Sequence, residues 1–314
     1  MKLYILKRLV GMVIVMFLVA TIVFAIIRVI PGDPAALMLG PDATADDISA
    51  LRDKLGLNST IWLQYATFIS DLSKGDLGNS IFHSGMPVLD LLAARAEPTI
   101  CLTIIAIIIA IMIGVPSGVV SAYNHGRFAD QAVMCVAMAL ASAPSFWVGL
   151  TFMQYFAVKL GWFPASGYGE PGAVFFERVR HLILPGLVLG LVQSALITRF
   201  TRTTMLDILG DDYVRTARAK GLGEWRVVMR HAFKNALIPI LTVVGMALAL
   251  LLGGAVVTET VFNIPGVGNL VVSSVLRRDY PVIGGALLII AGSYVLVNLL
   301  VDLAYLLVDP RVKY

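Results

Sequence analysis

The side chains best suited to chemistry in this chain are cationic, and they crowd into one stretch. Arg202, Arg215, Arg218, Lys220, Arg226, Arg230 and Lys234 all fall between residues 200 and 235. Guanidinium and ammonium groups make charge-assisted bonds to carboxylates and phosphates, so the run suits an anionic protein face or anionic lipid. Nothing beside it completes a reaction centre. There is no G-x-x-x-x-G-K-[ST] loop to cradle a nucleotide, no H-E-x-x-H and no G-x-S-x-G. His83, His125, His181 and His231 stand in different loops, and Cys101 and Cys135 lie far apart in apolar runs. We therefore expect no catalytic residue, no metal ligand set and no cofactor site.

The elements that position those cations are apolar. Hydrophobic residues make up 58% of the chain and charged ones 14%, against about 25% charged in a soluble domain. Six stretches are long enough to cross a bilayer: roughly 9–30, 99–122, 133–158, 182–199, 236–258 and 282–307. The first resembles a signal peptide in its basic start, Lys2, Lys7 and Arg8. Its apolar run from Leu9 to Ile27 outlasts a signal core of roughly 7–15 residues and meets no small-x-small cleavage site. A retained first helix is expected.

Charge sets the orientation. The 200–235 loop and both termini are basic, whereas residues 31–98 carry Asp33, Asp42, Asp46, Asp47, Asp53, Asp71, Asp76, Asp90 and Glu97. Positive-inside then puts both termini and the 200–235 loop in the cytoplasm and 31–98 outside. The net charge of +4 follows from the same asymmetry, and no nucleic-acid partner is expected. Within the spans the ionisable groups are Arg28, Arg199 and Asp302, all near span ends. Charges at depth mark ion-coupled carriers, so their scarcity argues that the energy source lies elsewhere. Of the polar groups Gln193, Ser194 and Thr198, with Thr242 and Thr258, some are expected to face a pore, because a polar cargo needs hydrogen-bonding surface; the alternative is that they bond neighbouring helices. The pairs Gly114/Gly118 and Gly186/Gly190 permit close helix contact, within one chain or between two.

Local signals complete the picture. Thr44 to Leu55 reads as a short helix, with Thr44 as N-cap and Gly56 closing it. Ile61 to Leu72 is amphipathic, with Trp62, Tyr65, Phe68 and Ile69 on one face. In the basic loop, Asp211 and Asp212 open a helix that Arg218 and Lys220 close, with Gly221 in the terminating position. A second helix, Glu224 to Asn235, leads into the fifth span.

Arg215-Thr216-Ala217-Arg218-Ala219-Lys220-Gly221-Leu222, then Arg230-His231-Ala232-Phe233-Lys234-Asn235-Ala236-Leu237-Ile238-Pro239, resembles the EAA loop of ABC importer permeases. The form is that of the dipeptide, oligopeptide, glutathione and nickel permeases. Further blocks resemble the same family: Pro31-Gly32-Asp33-Pro34-Ala35, Gly75-Asp76-Leu77-Gly78, Ile183-Leu184-Pro185, and Glu259 through Gly268. Arg278-Asp279-Tyr280-Pro281-Val282, Asn298-Leu299 with Val301-Asp302, and Asp309-Pro310-Arg311 continue the series. Arg215 and Thr216 replace the glutamate and alanine that name the motif, and Asn58-Ser59-Thr60 stands where Asp-Gln-Pro is common.

The resemblance implies an all-α integral membrane protein with six transmembrane helices, the type-1 importer permease fold. It divides into residues 1–30, a periplasmic helical segment 31–98, a transmembrane core 99–308 and a tail 309–314. It implies a permease subunit forming half a pore for peptides in the bacterial inner membrane, with nickel as the alternative cargo. A channel or carrier working without ATP is the competing class. Expected partners are a second homologous permease, one or two ATPases, a periplasmic binding protein and the bilayer. Asp212, Tyr213, Arg215, Thr216, Ala217, Arg218, Ala219, Lys220, Gly221 and Leu222 would couple the chain to the ATPase. The small residues would allow close approach, and Arg215, Arg218 and Lys220 would orient it.

Orientation has a direct test. A cysteine replacing Ser73 should react with an impermeant thiol reagent in intact cells, and one replacing Gly210 only after permeabilisation. The opposite pattern contradicts the assignment from charge.

Overall fold

The computed structural model describes residues 2–29, 33–39, 43–54, 56–83, 85–170 and 172–308. Ile30, Pro31, Gly32, Leu55 and the 309–314 tail with its Asp-Pro-Arg motif lie outside the described residues.

The described residues are helical, with one isolated antiparallel bridge between Asn79 and Pro87. In chain order come α1 (Lys2–Val29), α2 (Pro34–Leu39), α3 (Ala45–Lys54) and α4 (Ile61–Ser73). Then follow α5 (Val88–Tyr123), α6 (Phe128–Ser142) and α7 (Ser145–Phe152), the last continued by a π-helical segment, Met153–Lys159. α8 (Phe175–Leu209) leads to α9 (Asp212–Ala219) and α10 (Glu224–Arg226). A π-helical turn, Val227–Ala232, joins α10 to α11 (Phe233–Val261), before α12 (Val267–Arg277) and α13 (Tyr280–Val308).

Among the described residues five helices are long and apolar enough to cross a membrane, and six if a bent pair counts as one. The bent pair corrects the straight span expected over 133–158. α6 and the α7 segment meet at 100°. Ala143 takes an extended backbone, φ −77° and ψ 127°, immediately before Pro144. The proline ring disfavours the helical conformation of the preceding residue, so the break falls there. α5 and α8 are also longer than their apolar cores, at 36 and 35 residues. At 1.5 Å per residue each runs a little over ~50 Å, against ~30 Å of hydrocarbon.

The chain divides into two compact units, Met1–Glu97 with Leu270–Ser293, and Pro98–Asn269 with Tyr294–Tyr314. In the first, α3 begins with a reciprocal cap. The Asp47 amide donates to Thr44 Oγ1 (3.2 Å), and the Thr44 hydroxyl donates to Asp47 Oδ2 (2.6 Å). That hydroxyl holds the Asp47 carboxyl below its ordinary range. α4 packs on α1: Tyr65 and Thr21 share a hydroxyl hydrogen bond (2.7 Å), and the Phe24 ring meets Tyr65 and Phe68. Trp62 points away and is 79% exposed, so the four-residue face expected on this helix is split. The buried Asp279 carboxylate accepts from Ser80 Oγ and from the Ile81 and Phe82 amides (3.2 and 3.4 Å), tying the 80–82 turn to the start of α13.

In the second unit α5 lies against α8 at a seam of glycines. A Cβ on Gly186 would stand 2.5 Å from Ile105 Cγ2, and one on Gly190 would stand 2.7 Å from Ile109 Cβ. Gly114 and Gly118 make equally close approaches to Ile197 and Thr201. Both glycine pairs thus serve packing within this chain. Around the seam Leu102, Ala106, Leu184, Val188, Leu251 and Phe262 form the core. At the far end of α11, Glu259 is fully buried. It accepts from Thr99 Oγ1 (2.6 Å) and the Asn269 amide (3.0 Å), while the Val267 amide donates to the Thr99 hydroxyl (2.9 Å). Gly266 and Gly268 leave the room that this carboxylate fills.

The seam predicts an asymmetry. Gly190→Val overpacks it, at a cost of about 1–3 kcal/mol, and should lower the melting temperature of the solubilised protein. Gly11→Val, with nothing within 4 Å of the added Cβ, should leave it unchanged.

Candidate functional site

The basic loop folds onto the ends of α8 and α11. α9 has eight residues and two faces. Val214 (0% exposed) and Ala217 (7%) are three apart and point inward, packing with Val227, Leu209 and Leu222. Asp212, Arg215, Thr216, Ala219 and Lys220 are exposed.

Gly221 ends the helix. Its φ is +78°, the left-handed region that glycine enters without cost. The Gly221 amide donates to the Arg218 carbonyl (2.9 Å) and the Leu222 amide to the Ala217 carbonyl (3.4 Å). This paired closure satisfies carbonyls that a helix end otherwise leaves open, and Leu222 packs back on the buried face.

Two polar contacts brace the helix from the side. Asn235 Nδ2 donates to the Tyr213 hydroxyl (2.8 Å), so α9 is held to the start of α11. Arg218 Nε donates to Glu224 Oε1 (2.8 Å) across the glycine turn. Arg218 stays exposed while engaged with Glu224, and Ala217 is buried against its own chain. Arg215 and Lys220 keep exposed positions, Arg215 with only a long 3.5 Å contact to Asp212.

Below the loop lies a buried ion pair absent from the sequence reading. Asp130, 3% exposed, accepts from Arg202 Nε (2.6 Å) and Nη2 (2.8 Å), the Gly126 amide (2.9 Å) and the Ser121 hydroxyl. It binds the end of α5, the turn after it, the start of α6 and α8 at one point. Its partner is 72 residues away, so spacing could not reveal it. The available signal was an acid in a first helical turn, Asp130, and an arginine, Arg202, near the end of a long apolar helix.

The expected pore residues part company. Ser194 and Thr198 are buried and donate to carbonyls of their own helix, Leu191 (2.7 Å) and Ser194 (2.7 Å). Their turns of α8 sit in the seam, where a Cβ on Gly114 would lie 2.9 Å from the Ser194 carbonyl. Gln193 is half-buried.

Comparisons place this architecture among known proteins. Residues 114–314 match the family described as binding-protein-dependent transport system inner membrane component, and residues 1–106 match its N-terminal region. A protein named as a probable peptide ABC transporter permease from Sinorhizobium fredii is 44% identical over 314 residues, covering 100% of both chains. A dipeptide transport system permease from Alkalihalophilus pseudofirmus is 42% identical over 99% of each chain. The glutathione transport system permease of Escherichia coli K12 is 40% identical over 99% of each. In fold the chain is similar to a subunit of the inward-facing MetNI methionine ABC transporter. The TM-score is 0.59 at 18% identity, over 70% of this chain and 96% of that one.

The buried ion pair yields a thermodynamic prediction. Arg202→Met strands the Asp130 carboxylate, and breaking one side of a buried pair costs about 3–5 kcal/mol. Replacing both, Arg202→Met with Asp130→Leu, should recover much of the lost melting temperature. A double variant no more stable than Arg202→Met alone contradicts the pairing.

Proposed function

Because this chain belongs to the family of binding-protein-dependent transport system inner membrane components, we propose that it forms half of the path through which an ATP-driven importer moves short peptides across the bacterial cytoplasmic membrane. It is a multi-pass ABC permease subunit, and ATP is hydrolysed on separate subunits. A substrate-binding protein and ATPase subunits are its partners. The peptide, dipeptide and glutathione transport named for its relatives supports peptide-like cargo. The nickel alternative finds no such support among them.

The other half of the path is a second, homologous permease. One or two kinds of ATPase bind on the cytoplasmic side and the binding protein on the periplasmic side. Both termini and the 200–235 loop are cytoplasmic, residues 31–98 are periplasmic, and 99–308 form the transmembrane core between the first helix and the tail. Gln193 remains the candidate for the pore surface.

α9 is the coupling helix. The observation that carries this reading is its division of labour. One face and the C-terminal turn are locked to α8 and α11, while Asp212, Arg215, Thr216, Ala219 and Lys220 stay exposed. A helix so tied moves with the long helices, so force on its outer face reaches the membrane core through packed side chains. Arg215 and Lys220 supply charge-assisted bonds to carboxylates of the ATPase.

The test is retention of the ATPases on the tagged permease, with peptide uptake measured in parallel. Arg215→Glu with Lys220→Glu should reduce retained ATPase by about tenfold, as loss of ~1.4 kcal/mol does. Gly221→Val has space for its side chain but strains the backbone by about 1–2 kcal/mol. It should impair uptake while leaving membrane insertion intact. Full association and full uptake in both variants would return the loop to a lipid-facing connector.

A further inference from the structure

The first unit holds a cavity of about 470 Å³ that the transport reading leaves unused. Its volume falls within the roughly 300–1,000 Å³ of small-molecule sites. The walls are chiefly apolar, from Phe24 and Ile27 of α1, Leu77, and Leu288 of α13. Three charges stand in the lining: Arg28 at the end of α1, Asp71 near the end of α4, and Asp76 just after it.

Tyr280 belongs to the wall, but its hydroxyl is closed off from the cavity. The Arg28 guanidinium lies over the Phe24 ring, 5.3 Å from its centre, which leaves its N–H edges open to an anion. Asp76 spends one oxygen on the Gly78 amide (2.8 Å), and Asp71 meets the exposed Lys74 at 3.2 Å. Each carboxylate retains acceptor capacity.

Location narrows the ligand. α1 presents Val13, Phe17 and Ile22 outward, more than half exposed, as a helix facing hydrocarbon does. Arg28 closes that apolar run, which is the level of the lipid headgroups. We propose that this cavity binds a zwitterionic phospholipid carrying a primary amine, a phosphatidylethanolamine. Arg28 donates to its phosphate. Asp71 and Asp76 receive its ammonium group, and an acyl chain lies along Ile27, Leu77 and Leu288. A peptide carries the same two charges, but the apolar walls suit an acyl chain better. Assignment to the outer leaflet rests on the orientation proposed above, whereas occupancy does not.

The test uses the assembled transporter in nanodiscs of equal phosphatidylethanolamine, phosphatidylcholine and phosphatidylglycerol, released into mild detergent and weighed by native mass spectrometry. Phosphatidylethanolamine should be retained over the other two. Arg28→Gln should lower its occupancy by about tenfold, as the loss of a charged hydrogen bond does. ATPase association should be unchanged in this variant, which separates this site from the coupling loop. Equal retention of phosphatidylcholine, which lacks ammonium N–H donors, overturns the proposal. So does undiminished lipid in Arg28→Gln, or displacement of the lipid by trialanine.

Discussion

At Gly118 any side chain would meet Thr201 at 2.5 Å, and at Gly190 it would meet Ile109 at 2.7 Å. The second unit rests on this contact between α5 and α8. Apolar helices gain no hydrophobic free energy by leaving lipid for one another, so their association depends on close van der Waals packing, which small residues permit. The seam fixes α8 over four turns. α8 then continues past the apolar region to Leu209 and delivers α9 in a defined place. On the proposed reading α9 transmits force, and such an element must not yield within its own mounting. The glycine seam, the buried face of α9 and the closure at Gly221 would meet that requirement in series.

Buried carboxylates finish the mounting. Asp130 gathers a serine hydroxyl, a backbone amide and a bidentate arginine contact, and Glu259 gathers Thr99 and the start of α12. Such groups add little net stability against a well-packed apolar alternative, and much of their effect is geometric. An acid buried with several fixed donors is satisfied in one arrangement only. The arrangement at Asp130 holds three helices and a turn close to the loop that meets the cytoplasm in our reading.

What could be read from the sequence was local. Gly221 announces positive φ because a helix with acids first and bases last stops there. The amphipathic spacing of Val214 and Ala217 is also visible in one dimension. The pairs that set tertiary geometry were not legible: Asp130 with Arg202, Thr99 with Glu259 and Ser80 with Asp279 lie 72, 160 and 199 residues apart. Apolar length identifies a span but not its course, so the break before Pro144 was hidden inside a run of suitable length. Ser194 and Thr198 are buried and bonded within their own helix, which the sequence did not reveal. A hydroxyl in an apolar helix can bond to its own carbonyls, so polarity by itself does not mark a water-filled path.

The central claim is that α9 meets the ATPase with its exposed face while its other face belongs to the permease. The most direct measurement places a photo-crosslinking amino acid at single positions of α9 in the assembled transporter. Thr216 and Lys220, outward-facing, should crosslink to the ATPase subunit, and Val214, buried at 0% exposure, should give only internal products. Crosslinks from Thr216 and Lys220 to lipid alone, or an ATPase crosslink from Val214 as strong as theirs, would contradict it.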